Sequence, residues 1–285
     1  MTQSDNNNDR TNGINPYGCW LAGINGVGTK VLEALYRHGS CAEEIYDMDE
    51  QDLELILTQE LSDKRPAGKT AAKKAELITQ AHRIDPMQTA AELMQRGIGF
   101  TCIEDTDYPA RLRSIPDRPF AMYYIGKLPE DDAPAVAIVG ARNCSGYGRE
   151  QARRFAQTLA LRGVNVISGM ARGVDGIAGR AAAEAAACSY AVLGCGVDIP
   201  YPKENRDLYF MLSEHGGILS EYVPGTQPKT QLFPKRNRLI SGLADAVLGV
   251  ESRLHSGTQI TVDAALEQGR EIFVVFANVK VNKLF

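Results

Sequence analysis

The chain has 285 residues, of which 44% are hydrophobic, 23% charged and 7% aromatic. That balance excludes a disordered or fibrous chain, and the length accommodates about two domains. Lys and Arg total 31 against 35 Asp and Glu, a formal charge of −4. A basic surface over the whole molecule is therefore excluded, and any nucleic-acid site must be a local patch.

Six cysteines (Cys19, Cys41, Cys102, Cys144, Cys188, Cys195) form no C-x-x-C, and His38, His82, His215 and His255 do not cluster. That argues against a zinc site and for a reducing compartment. The Asn-rich start around Asp5 to Asp9 holds no apolar signal core. No run approaches the roughly 20 apolar residues of a membrane span. The expectation is a cytoplasmic, soluble protein with no membrane contact, no metal and no cofactor.

In chain order, residues 1–15 read as a disordered tail and 16–86 as a helical domain. Val31, Leu32 and Leu35, then Leu53, Ile56 and Leu57, recur at helical spacing. Leu21-Ala22-Gly23-Ile24-Asn25-Gly26-Val27-Gly28-Thr29-Lys30 resembles a helix-hairpin-helix turn, as in SAM-like domains, whose glycine hairpin offers amides to a phosphate. A tight interhelical turn with Val27 buried is the competing reading. Lys64, Arg65, Lys69, Lys73, Lys74 and Arg83 read either as a solvated helix face or as a widened DNA footprint. Residues 87–134 form a connector with extended edge pieces at 99–103 and 122–125, punctuated by Pro109, Pro116, Pro119, Pro129 and Pro134.

From residue 135 to 285 the grammar changes. Apolar runs at 135–141, 165–169, 190–194, 217–221, 246–251 and 271–277 alternate with helical stretches at 148–162, 175–187, 204–215, 237–243 and 258–268. This predicts an α/β fold: a Rossmann-like parallel sheet covered on both faces, preceded by the small helical domain. Ligands of such sheets bind outside the carboxyl ends of the strands.

Small polar residues gather at those ends: Ser145, Ser168, Gly169, Gly173, Gly194, Gly196, Ser256, Gly257 and Thr258, with Arg142 and Arg172 beside them. Glycine lets a phosphate reach backbone amides, and a helix N-terminus favours an anion. The alternative is that these are turn residues and N-caps. No acidic residue occurs between Tyr222 and Ala244, a stretch that holds Lys229, Phe233, Lys235, Arg236, Asn237 and Arg238. Guanidinium groups match phosphate geometry and an aromatic ring stacks on an unpaired base. A solvated loop with Phe233 in the core is the competing reading. The G-x-G-x-x-G fingerprint is missing, since Arg142 stands two residues after Gly140, and Ala67-Gly68-Lys69-Thr70 lacks the opening of a P-loop.

Residues 138–276 resemble the DNA-processing protein A (DprA, or Smf) family. The resemblance is carried by Val139-Gly140-Ala141-Arg142 with Ser145-Gly146-Tyr147-Gly148, by 168–175, by 191–198 with Tyr201-Pro202, and by Leu219-Ser220-Glu221. Phe233-Pro234-Lys235-Arg236-Asn237-Arg238 and Ser256-Gly257-Thr258 complete it. It implies a dimeric, non-enzymatic protein that binds single-stranded DNA in natural transformation and loads a RecA-type recombinase. By the same resemblance Arg142, Lys229, Phe233, Arg236 and Arg238 face the DNA. Two departures stand out. Gly179 occupies the position of the family's histidine, and residues 278–285 read as a truncated ending that lacks the relatives' C-terminal helical domain.

The rival classes are a nucleoside-monophosphate phosphoribohydrolase and a nucleotide sensor of the related Rossmann-like superfamily. The hydrolase signature P-G-G-x-G-T-x-x-E ends in a catalytic glutamate, where this chain has Thr261 after Ser256-Gly257-Thr258. Acid–base work at that position is lost. Arg142→Ala and Arg236→Ala are each expected to weaken DNA binding and leave the fold intact.

Overall fold

The structure, a computed structural model, describes residues 13–38, 40–61, 67–186, 189–252 and 256–275. Lys64, Arg65 and the ending at 278–285 lie outside the described residues. The chain forms two compact units, residues 1–108 with 119–122, and 109–118 with 123–285.

The first unit holds helices α1 (Pro16–Gly23), α2 (Thr29–Arg37), α3 (Ala42–Asp47), α4 (Glu50–Glu60), α5 (Ala67–Gln80) and α6 (Pro86–Gln95), then strand β1 (Gly99–Cys102). Asn15, Asp49 and Asp85 cap α1, α4 and α6 with their side chains, and proline opens α1 and α6. Capping satisfies amides that have no partner within the helix. The last residues of the expected tail are therefore folded, with Asn15 as a cap and Ile14 buried. Helix α6 carries helical structure past residue 86, because Asp85-Pro86 starts a new helix. Between α1 and α2, Gly26 adopts φ +87° and Val27 is buried, as a tight interhelical turn requires. The Glu104 carboxylate accepts from Asn15 Nδ2 (2.8 Å), Tyr36 Oη (2.5 Å) and Ala42 N (2.6 Å), tying three segments together.

In the second unit a short helix α7 (Ala110–Arg113) leads to β2 (Ala121–Gly126), whose first two residues belong to the first unit. Then follow β3 (Ala135–Gly140), α8 (Gly146–Ala160), β4 (Asn165–Ser168), α9 (Val174–Ala186), β5 (Ser189–Val192), α10 (Arg206–His215), β6 (Gly217–Ser220), α11 (Leu232–Gly242), β7 (Ala246–Val250), α12 (Gly257–Glu267) and β8 (Glu271–Val274). The strand order is β2-β6-β5-β4-β3-β7-β8. Neighbours from β6 to β8 are parallel, whereas β2 joins β6 antiparallel, with Tyr123 opposite Ser220. The expected α/β architecture is present, with one antiparallel edge.

Alanines make the packing of α8 and α9 close. Ala152, Ala156 and Ala160 on α8 and Ala178, Ala181 and Ala182 on α9 share a core with Ile138, Val166 and Val250. The chain winds from β3 outward through β4 and β5 to β6, then returns to the other side of β3 for β7. The strand order reverses there, and in open sheets of this kind the ligand crevice lies outside the carboxyl ends of the strands at such a point.

Helix α11 starts five residues before the position read from sequence, at Leu232 instead of 237. Pro234 obscures it in the sequence. As the third residue of the helix, its missing N–H costs nothing, since first-turn amides have no partner within the helix. The segment Phe233 to Arg238 is thus helical rather than a basic loop.

Candidate nucleic-acid interface at the strand ends

The crevice holds a cleft of two lobes. The larger, of about 500 Å³, is lined by Gly140, Arg142, Asn143, Asp175, Tyr201, Thr230, Phe233, Arg236, Asn237, Ser256, Gly257, Thr258 and Thr261. The smaller, of about 60 Å³, is lined by Arg142, Gly169, Arg172, Gly194, Tyr201, Phe233 and Arg236. Arg142, Tyr201, Phe233 and Arg236 border both. Four strand-end loops and the start of α11 thus converge on one space, and Arg142 and Arg236 lie on it together. Ser145, Ser168, Gly173, Gly196, Lys229, Lys235 and Arg238 do not line either lobe.

Arg142 is exposed at the rim. Arg172 is also exposed and lies 3.4 Å from Glu204, with both side chains about 60% accessible. Such an ion pair contributes little and yields readily to a phosphate. Arg236 is different: it is 5% exposed. Its guanidinium donates to Gly169 O (3.0 Å) and Val192 O, and its Nε donates to Asn237 Oδ1 (3.2 Å). Asn237 Nδ2 in turn donates to Gly257 O (3.0 Å). The Arg-Asn pair on α11 therefore ties the ends of β4 and β5 to the start of α12. The Phe233 ring sits 6.0 Å from the Arg236 guanidinium and stacks on Tyr201 at 5.5 Å, 28° between planes. Tyr201 is 39% exposed. It escaped the sequence reading as a site residue, although a tyrosine in the loop after Asp198 was a signal for a base-stacking platform.

Buried Asp175, at the start of α9, accepts from Gly140 N (3.3 Å) and Gly169 N (3.2 Å). Burial pushes its carboxyl up to about 6, against the opposing pull of Arg236 and the two amides. Burial likewise pulls the Arg236 guanidinium down, with Asp175 acting in the other direction. Glu251 follows β7 at φ +60°, an uncommon conformation for a residue with a side chain. Its carboxylate accepts from Ser145 N (2.9 Å) and Ser145 Oγ (2.8 Å), and Ser145 Oγ accepts from Gly148 N (3.1 Å). The first strand-end loop thus spends its polar groups on a carboxylate of its own chain. Ser168 Oγ donates to Ile138 O (2.8 Å) inside the sheet.

The glycines divide the same way. A Cβ on Gly194 would lie 2.7 Å from Phe233, and one on Gly173 would run into the Arg142 carbonyl. Gly169 and Gly196 are crowded too, by Asp175 and Asp198. These four serve close approach of the chain to itself, the packing alternative read from sequence. Gly257, at the start of α12, faces open space.

Arg238 turns away from the cleft. It donates to both oxygens of Glu221 (3.0 and 2.6 Å) and lies 3.2 Å from Asp117. Burial pulls its guanidinium down, but the two carboxylates overcome that and raise it. Lys229 and Lys235 are exposed.

The described residues contain no group of three or more His, Cys, Asp and Glu side chains that could hold a metal, and no helix long and apolar enough to cross a membrane.

The chain is thus an α/β protein of the doubly wound, Rossmann-like class, with arginines and aromatic rings bordering a cleft at its strand ends. The family model of DNA recombination-mediator protein A matches residues 99–284, and the chain belongs to that family. Protein Smf of Synechocystis is 34% identical over 260 residues, covering 89% of this chain and 63% of that protein. The chain spans only 45% of the Smf protein of Escherichia coli. The crystal structure of DNA processing protein A from Streptococcus pneumoniae superposes with a TM-score of 0.77 at 29% identity, covering 93% of this chain and 88% of that one. DNA processing protein A of Helicobacter pylori, whose structure concerns its single-stranded DNA binding mode, matches with a TM-score of 0.58 at 29% identity, covering 63% and 82%.

Proposed function

We propose that this protein binds single-stranded DNA in the strand-end cleft, with no chemistry performed on it. The observation that carries the reading is the convergence of Arg142, Arg172 and Arg236 with Phe233 and Tyr201 on one space. Three guanidinium groups outweigh the Asp175 carboxylate in the lining and Glu204 beside Arg172, and the paired rings suit bases freed from a duplex. Arg142 and Arg172 take phosphates at the rim, Arg236 holds the floor, and the start of α12 at Ser256-Gly257-Thr258 presents amides to an anion. Lys229 and Lys235 add charge outside the cleft. The likeness to the Helicobacter pylori protein supports the same ligand.

Within that reading the protein is a cytoplasmic homodimer that shields strands entering the cell in transformation and hands them to a RecA-type recombinase. The hydrolase alternative has little to work with. Thr261 is buried where the carboxylate would stand, Glu251 is engaged by Ser145, and Asp175 is buried against Arg236. Fluorescence anisotropy with oligo-dT at several salt concentrations tests the reading. Affinity falls as salt rises, because bound phosphates release counterions. Binding that is insensitive to salt, or saturated by a single nucleotide, defeats it.

A further inference from the structure

Helix α8 leads directly away from the cleft. The loop that carries Arg142 and Asn143 along the larger lobe runs through Ser145, the N-cap of α8. The inner face of the helix is alanine, packed on the core. Its outer face presents Arg149, Arg153 and Arg154, and Arg162 follows two residues past its end, all exposed, against one acidic residue on the helix, Glu150. Arg153 lies 3.9 Å from Glu150, both side chains 63% accessible. Among the described residues, Arg149, Arg154 and Arg162 have no acidic partner.

This concentration of cations is unusual for a chain whose formal charge is −4. Surface helices ordinarily gain from acidic partners three or four residues away, and from acidic rather than basic residues near the N-terminus. Helix α8 keeps one such pair, Arg153 with Glu150, and otherwise forgoes them: its first turn contains no acidic residue and Arg149 follows directly. The cost is tolerated where the cations face an anion outside the chain.

We propose that the strand leaving the cleft past Arg142 runs along the outer face of α8 and on to Arg162, so that these four arginines bind its phosphates. The proposal rests on the single-stranded DNA reading of the cleft and extends it to a second, contiguous segment of the strand. From Arg149 to the last helical residue, Ala160, the rise is roughly 17 Å at 1.5 Å per residue, and Arg162 extends the row beyond it. That matches on the order of six phosphates at about 3.4 Å spacing, and fewer on a more extended strand. Sequence preference is not expected, since guanidinium groups on a convex helix face meet the backbone and not the base edges.

The test compares dT4, which fills the cleft alone, with dT20, which reaches α8, for the wild type and for R149Q/R153Q/R154Q. All three positions are exposed and glutamine is a good helix former, so the fold is kept. Equal affinities for dT4 are expected. On dT20 the salt slope of the variant becomes shallower by about 2, so the wild-type advantage shrinks about fifteenfold between 50 and 200 mM salt. The matching lysine triple variant retains most of the dT20 affinity. A glutamine variant that binds dT20 as tightly as the wild type overturns the proposal and leaves the cleft reading standing. Equal weakening on dT4 and dT20 also overturns it, because the arginines then act in the cleft itself. So does retention of dT20 affinity with loss of poly-glutamate binding, which marks the face as a dock for acidic proteins. A wild type that binds neither oligomer removes the cleft reading and this proposal with it.

Discussion

Arg142 and Arg236 border the same cleft, yet their removal has different consequences. Arg236→Ala takes the donor from the carbonyls of Gly169 and Val192 and the nearest cation from buried Asp175. An orphaned buried acceptor costs about 1–3 kcal/mol, and breaking a buried pair from one side about 3–5 kcal/mol. These losses share one network and do not add, so a total of about 4 kcal/mol is expected. For a unit of this size that lowers the thermal midpoint by roughly 8–16 °C. Arg142→Ala, at an exposed rim position, changes stability by no more than about 0.5 kcal/mol. Urea and thermal unfolding followed by circular dichroism separate the two, with oligo-dT anisotropy run beside them. DNA binding weakens in both, but only Arg142→Ala weakens it on an undisturbed fold. This amends the expectation that both substitutions spare the fold. If Arg236→Ala unfolds at the wild-type midpoint, the latch formed by Arg236 and Asn237 is refuted.

Gly179 lies inside α9, where a Cβ would meet Leu208 and Ser189 at an ordinary 3.5–3.7 Å. Gly179→Ala is expected to raise stability by about 0.5–1 kcal/mol, read as a higher urea midpoint; a lower midpoint counts against the helical environment assigned there. Glu221→Gln leaves Arg238 with half of its paired charge gone, and a loss of about 2–4 kcal/mol is expected, with dT4 affinity nearly unchanged at temperatures where the variant is folded. Asp175 gives the pH signature. Its native carboxyl titrates near 6, above its usual value, so the folded chain keeps a proton that the unfolded chain has already released. Its favourable contribution is complete below about pH 4 and is lost as pH rises through about 6, amounting to roughly 3 kcal/mol. The stability of the wild type relative to Asp175→Asn should therefore fall between pH 4 and 7 and stay level above; a rise over that interval contradicts the burial of this group.

Much of the second unit was legible in the sequence, because its signals are local. Apolar runs of four to six residues mark β3 to β7, with glycine or serine closing those of β3 to β6, and their order alone puts the loops on one edge. What stayed hidden depends on partners far along the chain. Nothing near Ser145 announces that Glu251, 106 residues later, will take its amide and hydroxyl. Nothing near Arg238 announces the pairing with Glu221 that turns it from the cleft, since the basic stretch and the family resemblance both aim it at the DNA. The glycines were ambiguous for a related reason. A missing side chain opens space for a ligand or for the chain itself, and the pattern is identical until the neighbours are known. Phe233 shows the benefit of both readings at once, since it packs against Gly194 and still borders the cleft.

The carboxylates of Asp175 and Glu251 occupy amides that a small anion would otherwise seek. Each is tethered by its own backbone, so it acts as a resident competitor at a fixed, high local concentration. An isolated phosphate, however abundant in its surroundings, has to evict such a competitor without help. On the proposed reading, a polymer that grips several arginines and two rings at once has no need of those seats, so the same two carboxylates would favour a long strand over a lone metabolite.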